Sequence, residues 1–251
     1  MDLRDKVVLV TGAASGLGRA TAQAFAEEGA QLALADIDEK GGRDVADRVD
    51  GIFINCDVSS LEANRALVDE VVERLGGLDV VHLNAGVSTG CGVGDDFDLE
   101  LYRRAMGVNL DGVVFGAHAA LPALRARGGG AIVATASLAG LTPMPLDPIY
   151  TANKHAVVGL ARALGPALAE QNVTFNAVCP GFADSRIVDA WRGDLAAAGI
   201  PLIPAEAVGA AVVRIVREGG TGEAWFVQAG REPDRFRFRN VPGPRPLEAE
   251  A

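Results

Sequence analysis

Residues 6–18 read KVVLVTGAASGLG, and an acidic residue, Asp36, follows eighteen positions after the last glycine. Val7, Val8, Leu9 and Val10 form a short run of β-branched and aliphatic residues, the pattern of a strand buried on both faces of a parallel sheet. Thr11 and Gly12 end that strand, and Gly16 and Gly18 lead into an apolar-periodic helix over Arg19 to Glu28. Glycines at these positions allow a tight turn, bring backbone N–H groups close to a phosphate, and let the helix pack near the strand. The helix N-terminus adds the positive end of a dipole. A second apolar run, Gln31 to Ala35, ends at Asp36, where a carboxylate can accept hydrogen bonds from a ribose. Strand, glycines, helix, strand and acid in this order point to a dinucleotide site. Its expected contacts are Gly12, Ser15, Gly16, Leu17 and Gly18 at the turn, with Asp36 and Ile37 at the strand end.

Outward from this unit, apolar runs predict further strands at Ile52–Cys56, Val80–Leu83, Ala131–Thr135, Val173–Cys179 and Ala224–Val227. Helical patterns separate them at Glu39–Val49, Leu61–Leu75, Leu99–Arg127, Ile149–Glu170 and Ala205–Arg217. Seven strands alternating with six helices predict an α/β fold: a Rossmann-type, doubly wound, seven-stranded parallel sheet with helices on both faces. Right-handed crossovers place every strand's C-terminal end on one edge, where ligands bind. Nothing resembling a linker divides the chain, so 1–251 is expected to form one dinucleotide-binding catalytic domain. Residues 182–204 are too long for a simple connection and are expected to be a substrate loop, with a short helix over Asp194–Ala198. Residues 232–251 form a C-terminal tail.

Composition sets limits on function. The 251 residues are 49% hydrophobic but only 5% aromatic, as alternating strands and covering helices require. A net charge of −10 without a basic stripe argues against a nucleic-acid partner. No apolar run is long enough to cross a membrane, and no signal-like segment follows Met1. Cys56, Cys91 and Cys179 are few and scattered, as in a reduced, cytoplasmic protein. Only three histidines occur, and no motif predicts a metal site.

The candidate catalytic residues are Ser137, Tyr150 and Lys154, with Asn109 upstream. Tyr150 and Lys154 share one helix face at i, i+4 spacing. A free tyrosine, with a pKa near 10, is too weakly acidic to be a base at neutral pH. A neighbouring ammonium, or the positive ring of an oxidised nicotinamide, would favour the phenolate. Tyr150 would then take an alcohol proton as hydride leaves, or donate it in reduction. Ser137 would hold the substrate oxygen, and Asn109 would open its helix locally and hold a water that links Lys154 to solvent. Any one of these residues alone is an ordinary surface pair, strand-end cap or packing amide.

Together the motifs resemble the short-chain dehydrogenase/reductase family, densely from Lys6 to about Gly181. TGxxxGxG appears as Thr11–Gly18, the NAG turn as Asn84, Ala85 and Gly86, and YxxxK as Tyr150–Lys154, with Ser137 thirteen residues before the tyrosine. The resemblance implies that Asp57 and Val58 meet the adenine and that Lys154 also binds the nicotinamide ribose. It further implies that Pro180, Gly181, Ala183 and Ser185 flank the nicotinamide, Ser185 standing where the family commonly has threonine. Asp36 would repel a 2′-phosphate and Ile37 offers no base, so NAD is expected over NADP. The apolar residues Val87, Cys91, Leu138, Leu141, Met144, Leu146, Phe182, Ile187, Trp191 and Ile203 suggest a hydrophobic secondary alcohol or ketone, alicyclic or steroid-like. A 3-oxoacyl thioester reductase and a non-enzymatic NAD-sensing regulator are the alternatives. The resemblance implies a homo-oligomer, dimer or tetramer, assembled through the two long helices. Their small residues serve either that contact or packing on the sheet. The RFRFR stretch of the tail, Arg235–Arg239, has no family counterpart and suits either a mobile end or an arm on a neighbouring subunit.

Overall fold

β1 (Val7–Thr11) is buried along its whole length and lies in the middle of the sheet. The computed structural model describes residues 1–218 and 220–239. After β1 come α1 (Gly16–Glu27), β2 (Gln31–Asp36), α2 (Glu39–Arg48), β3 (Ile52–Asn55), α3 (Leu61–Leu75) and β4 (Val80–Leu83). The second half runs α4 (Leu99–Met106), α5 (Gly112–Ala126), β5 (Gly130–Thr135), α6 (Pro148–Leu168), β6 (Val173–Pro180), α7 (Arg192–Ala197), α8 (Ala205–Glu218), β7 (Ala224–Val227) and β8 (Asp234–Arg235). The strand order is β3-β2-β1-β4-β5-β6-β7-β8, and every pairing through β7 is parallel. Strand order reverses between β1 and β4, and the crevice beyond their C-terminal ends is where such sheets bind ligands.

Alternation along β1 feeds two cores. Val7 and Leu9 join residues of α3, α5 and α6 on one face, including Val68, Val113 and Val157. Val8 and Val10 join Phe25 of α1, Val45 of α2 and Val212 of α8 on the other. Successive side chains of a strand point to opposite faces, so both layers draw on the same five residues.

The sheet has eight strands rather than the expected seven, and the last pair is antiparallel. β8 pairs Arg235 with Trp225 and Asp234 with Phe226. Its side chains hold it there: Arg235 reaches Glu223 at 3.0 Å and Glu218 at 3.1 Å, and its guanidinium lies 4.9 Å from the Trp225 ring. Farther on, Phe238 packs on the core beneath the guanidinium of Arg162, 3.8 Å away. RFRFR thus lies on its own subunit's last strand and α6. The Pro-rich run 242–246 lies outside the described residues.

The single helix expected over Leu99–Arg127 is interrupted. A π-helical turn, Gly107–Asp111, separates α4 from α5 and carries Asn109 at its centre. Segment 182–204 is pinched at its base, where Ile203 N donates to Phe182 O at 2.8 Å and Asp184 N to Ile203 O at 2.9 Å. Between those ends it forms a 3-10 stretch, Arg186–Trp191, and then α7. Among the described residues no helix is long and apolar enough to cross a membrane.

Candidate active site

The turn after β1 is shaped for close approach. Gly12 and Gly16 have φ of +65° and +51°, a region that costs other residues strain. A Cβ on Gly18 would strike the Gly12 carbonyl and stand 2.7 Å from Asn84 Nδ2. Ser15, at the N-cap of α1, makes no side-chain cap bond, and the first turn, Gly16–Arg19, carries no acid. These N–H groups and the glycine cradle fit an anionic phosphate. Asp36 closes the opposite side. Its Oδ2 accepts from Ala14 N and its Oδ1 from Asp38 N, both at 2.9 Å, so the carboxylate is aimed by the backbone it braces.

Strands β1, β4 and β5 are tied together beneath this turn. Asn84 Nδ2 donates to Thr11 O at 3.0 Å and Gly12 O at 3.3 Å, while Thr11 Oγ1 accepts from Asn84 N at 2.9 Å and Ala85 N at 3.2 Å. Thr135 Oγ1 donates to Asn84 Oδ1 at 3.1 Å, so His82 Nε2, 2.9 Å from the same oxygen, is the donor to it. Burial pushes the His82 imidazole down to about 3, which keeps it neutral.

Asn109 braces the start of the next loop, accepting from Val87 N at 2.8 Å and donating to Val87 O at 2.9 Å. The π-helical turn lets a fully buried amide make this two-way contact, and such turns are often found at functional sites. Lys154 Nζ converges on the same spot: a methyl placed on Gly86 would lie 3.3 Å from Asn109 Oδ1 and 3.6 Å from Lys154 Nζ. Lys154 is 2% exposed, and its Nζ donates to Thr135 O at 2.8 Å.

Tyr150 enters the site from the first turn of α6. Asp147 caps that helix through Oδ1, which accepts from Tyr150 N at 2.9 Å, and its Oδ2 accepts from Thr89 N at 3.0 Å. The expected lowering of the phenol by Lys154 is not what the protein alone produces. Burial pushes Tyr150 up to about 12, against a hydrogen bond with Ser137, and the Asp147 carboxylate adds to the rise. Burial likewise brings Lys154 down to about 8. The Lys154 ammonium lies 5.4 Å from the phenol ring centre.

One cleft of about 510 Å³ connects these groups. Gly12, Ser15, Gly16, Leu17, Asp36, Ile37, Asp57, Val58, Asn84, Ala85 and Gly86 line it, as do Ser137, Tyr150, Lys154, Pro180, Gly181, Ala183 and Ser185. Gly18 and Asn109 do not. Gly18 packs beneath the turn, and Asn109 stands behind the Val87 backbone. Of the apolar residues expected around a substrate, only Val87 and Ile187 reach the cleft. Ile203 is buried in the core and Leu146 is exposed. Sequence reasoning missed Asp38, Arg104, Thr135 and Arg186 in the lining, and Asp147 behind it. Asp147-Pro148 carried a readable signal, an N-cap acid followed by proline at the first helical position. Among the described residues no cluster of His, Cys, Asp or Glu is placed to hold a metal ion.

The short chain dehydrogenase family profile matches residues 6–196. The chain belongs to the short-chain dehydrogenase family. This short-chain dehydrogenase is 35% identical over 201 residues to the NAD(+)-linked 15-hydroxyprostaglandin dehydrogenase of Homo sapiens, covering 75% of this chain and 72% of that one. It is 33% identical over 191 residues to the cyclohexanol dehydrogenase of an Acinetobacter species, covering 73% and 75%. A solved short-chain type dehydrogenase/reductase from Mycobacterium marinum superposes with a TM-score of 0.85 at 30% identity, covering 91% of this chain and 96% of that one. The protein is an oxidoreductase that uses a nicotinamide cofactor and acts on a small molecule. The sheet is doubly wound, and the cleft opens at its C-terminal edge.

Proposed function

We propose that the protein oxidises hydrophobic secondary alcohols to ketones, and runs the reverse reduction, with NAD as its preferred cofactor. The observation that carries this reading is the single cleft in which the glycine cradle and Asp36 face one end and Ser137, Tyr150 and Lys154 the other. Gly12, Ser15, Gly16 and Leu17 would hold the pyrophosphate, Asp36 and Ile37 the adenosine ribose, and Asp57 and Val58 the adenine. Asn84–Gly86, Pro180, Gly181, Ala183 and Ser185 would flank the nicotinamide half. When bound, the nicotinamide supplies the hydride acceptor or donor, and its oxidised form a positive charge.

The protein's own groups handle the proton. Tyr150 Oη removes the proton from the substrate hydroxyl, and Ser137 Oγ holds the substrate oxygen beside it. Lys154, anchored on Thr135 O, supplies positive charge near the phenolate and would hold the ribose hydroxyls of the nicotinamide half. Asn109 fixes the Val87 backbone at the rim, so that the loop over the substrate starts from a rigid point. Asp36 supports NAD because a fixed carboxylate repels a 2′-phosphate, and the neighbouring Ile37 is 71% exposed and uncharged.

Relatives that act on prostaglandin-type and alicyclic alcohols, together with Val87, Val108, Ile187 and Val188 in the cleft, support an apolar substrate. A homo-oligomer built through α4, α5 and α6 completes the proposal. Gly112 and Gly116 pack on Val58 and Leu83 of their own chain, whereas a side chain at Gly159 would meet open space on the outer face of α6. The test is turnover with NAD or NADP and a panel of secondary alcohols led by cyclohexanol. NAD-linked oxidation is expected. Turnover with NADP alone would overturn the cofactor assignment, and turnover of small polar alcohols only would overturn the substrate class.

A further inference from the structure

Arg186 stands in the cleft wall among groups placed for phosphate. It lines the same cavity as Ser15, Gly16, Asp38 and Ser185. A Cβ on Gly16 would lie 3.3 Å from the Ser185 side chain, so residue 186 follows directly on a contact with the start of α1. The bridge between Ala183 and Ile203 fixes the chain just before it. The two carboxylates nearest it in sequence within this segment, Asp184 and Asp189, are both paired with Arg192, at 2.8 Å and 2.9 Å. Arg186 instead crosses the cleft mouth to Asp38, whose Oδ2 lies 3.9 Å from its Nη2. Asp38 Oδ1 is engaged in capping α2 through Gly41 N at 3.0 Å.

We propose that Arg186 is a ligand of the dinucleotide's pyrophosphate and that Asp38 competes with the phosphates for its guanidinium. The inference rests on the nicotinamide-cofactor reading of the cleft. A carboxylate 3.9 Å away in an exposed pair is a weak partner, whereas a pyrophosphate offers oxygens suited to the planar guanidinium fork. Arg186 thereby joins the substrate segment to the cofactor: the residue that greets the phosphates belongs to the stretch that covers the substrate.

Titration of NADH, NADPH, ADP-ribose and adenosine into wild type, Arg186→Ala, Arg186→Lys, Asp38→Asn and the Asp38→Asn/Arg186→Ala double variant tests this. Asn retains the capping oxygen at position 38, and position 186 is exposed, so each variant keeps the fold. Arg186→Ala should weaken NADH, NADPH and ADP-ribose alike by about tenfold, a typical loss for one charge-assisted contact, and leave adenosine unchanged. Arg186→Lys should restore part of the affinity, and the difference should narrow as salt rises. Asp38→Asn should tighten NADH, and the double variant should lose that gain. Equal NADH affinity in wild type and Arg186→Ala overturns the assignment. Weakening of NADPH alone overturns it in favour of a 2′-phosphate contact. Failure of the wild type to bind NADH at all would instead overturn the cofactor reading beneath it.

Discussion

Lys154 is a buried ammonium to which the proposed mechanism gives a chemical role, and Lys154→Met separates that role from its cost in stability. Burial lowers its ammonium from 10.5 to about 8. At ~1.4 kcal/mol per pH unit this corresponds to about 3 kcal/mol of stability forgone near neutral pH. Met keeps most of the apolar stem but loses the bond to Thr135 O, about 1 kcal/mol. Lys154→Met should therefore be more stable than wild type by about 2 kcal/mol at pH 7.5, while losing turnover. The folded lysine binds fewer protons than the unfolded one between pH 8 and 10.5, so wild type gains stability as pH rises through that window. The variant's advantage should shrink accordingly, by about 2 kcal/mol at pH 9.5. Urea denaturation at the two pH values reads this directly. A less stable Lys154→Met at pH 7.5, or an advantage that does not change with pH, would refute the reasoning.

Two further outcomes follow from packing. Gly18→Ala should lower stability by about 1–3 kcal/mol and abolish NADH binding in a fluorescence titration, because its methyl meets the Gly12 backbone and the Asn84 amide that is itself bonded to Thr11 O and Gly12 O. Asp79, 3% exposed, accepts from Val7 N, Lys6 and Arg127. Burial pushes its carboxyl up, but these bonds outweigh burial and hold it below the usual 3.8. Asp79→Asn should therefore cost about 2 kcal/mol at pH 7. That advantage of wild type, present above about pH 3.8, should fade in acid as the folded carboxyl protonates.

The half of the fold built on β1 was legible because each signal there is local: a β-branched run, glycines forced by backbone geometry, and an acid at the next strand end. The rest depends on partners distant in sequence. Periodicity over 99–127 runs on through the π-helical turn, whose Asn109 bonds the distant Val87 backbone. β8 is two residues long and is defined by Trp225, Glu223 and Glu218 rather than by its own pattern. At the site, motif spacing picked out many of the groups that line the cleft. It could not sort the loop residues, because Ile203 turns inward to the core while Arg186, in the same excursion, turns to the cleft. The fall of Lys154 and the rise of Tyr150 come from burial in the folded protein, and spacing along α6 carries no record of that.

The most direct test of the account compares wild type with Tyr150→Phe on the best alcohol of the panel, measuring turnover and NADH affinity together. Loss of the proton-transferring oxygen should lower turnover by about 10²-fold or more, with the NADH dissociation constant unchanged. Turnover within a few-fold of wild type would contradict the assignment of the proton to Tyr150.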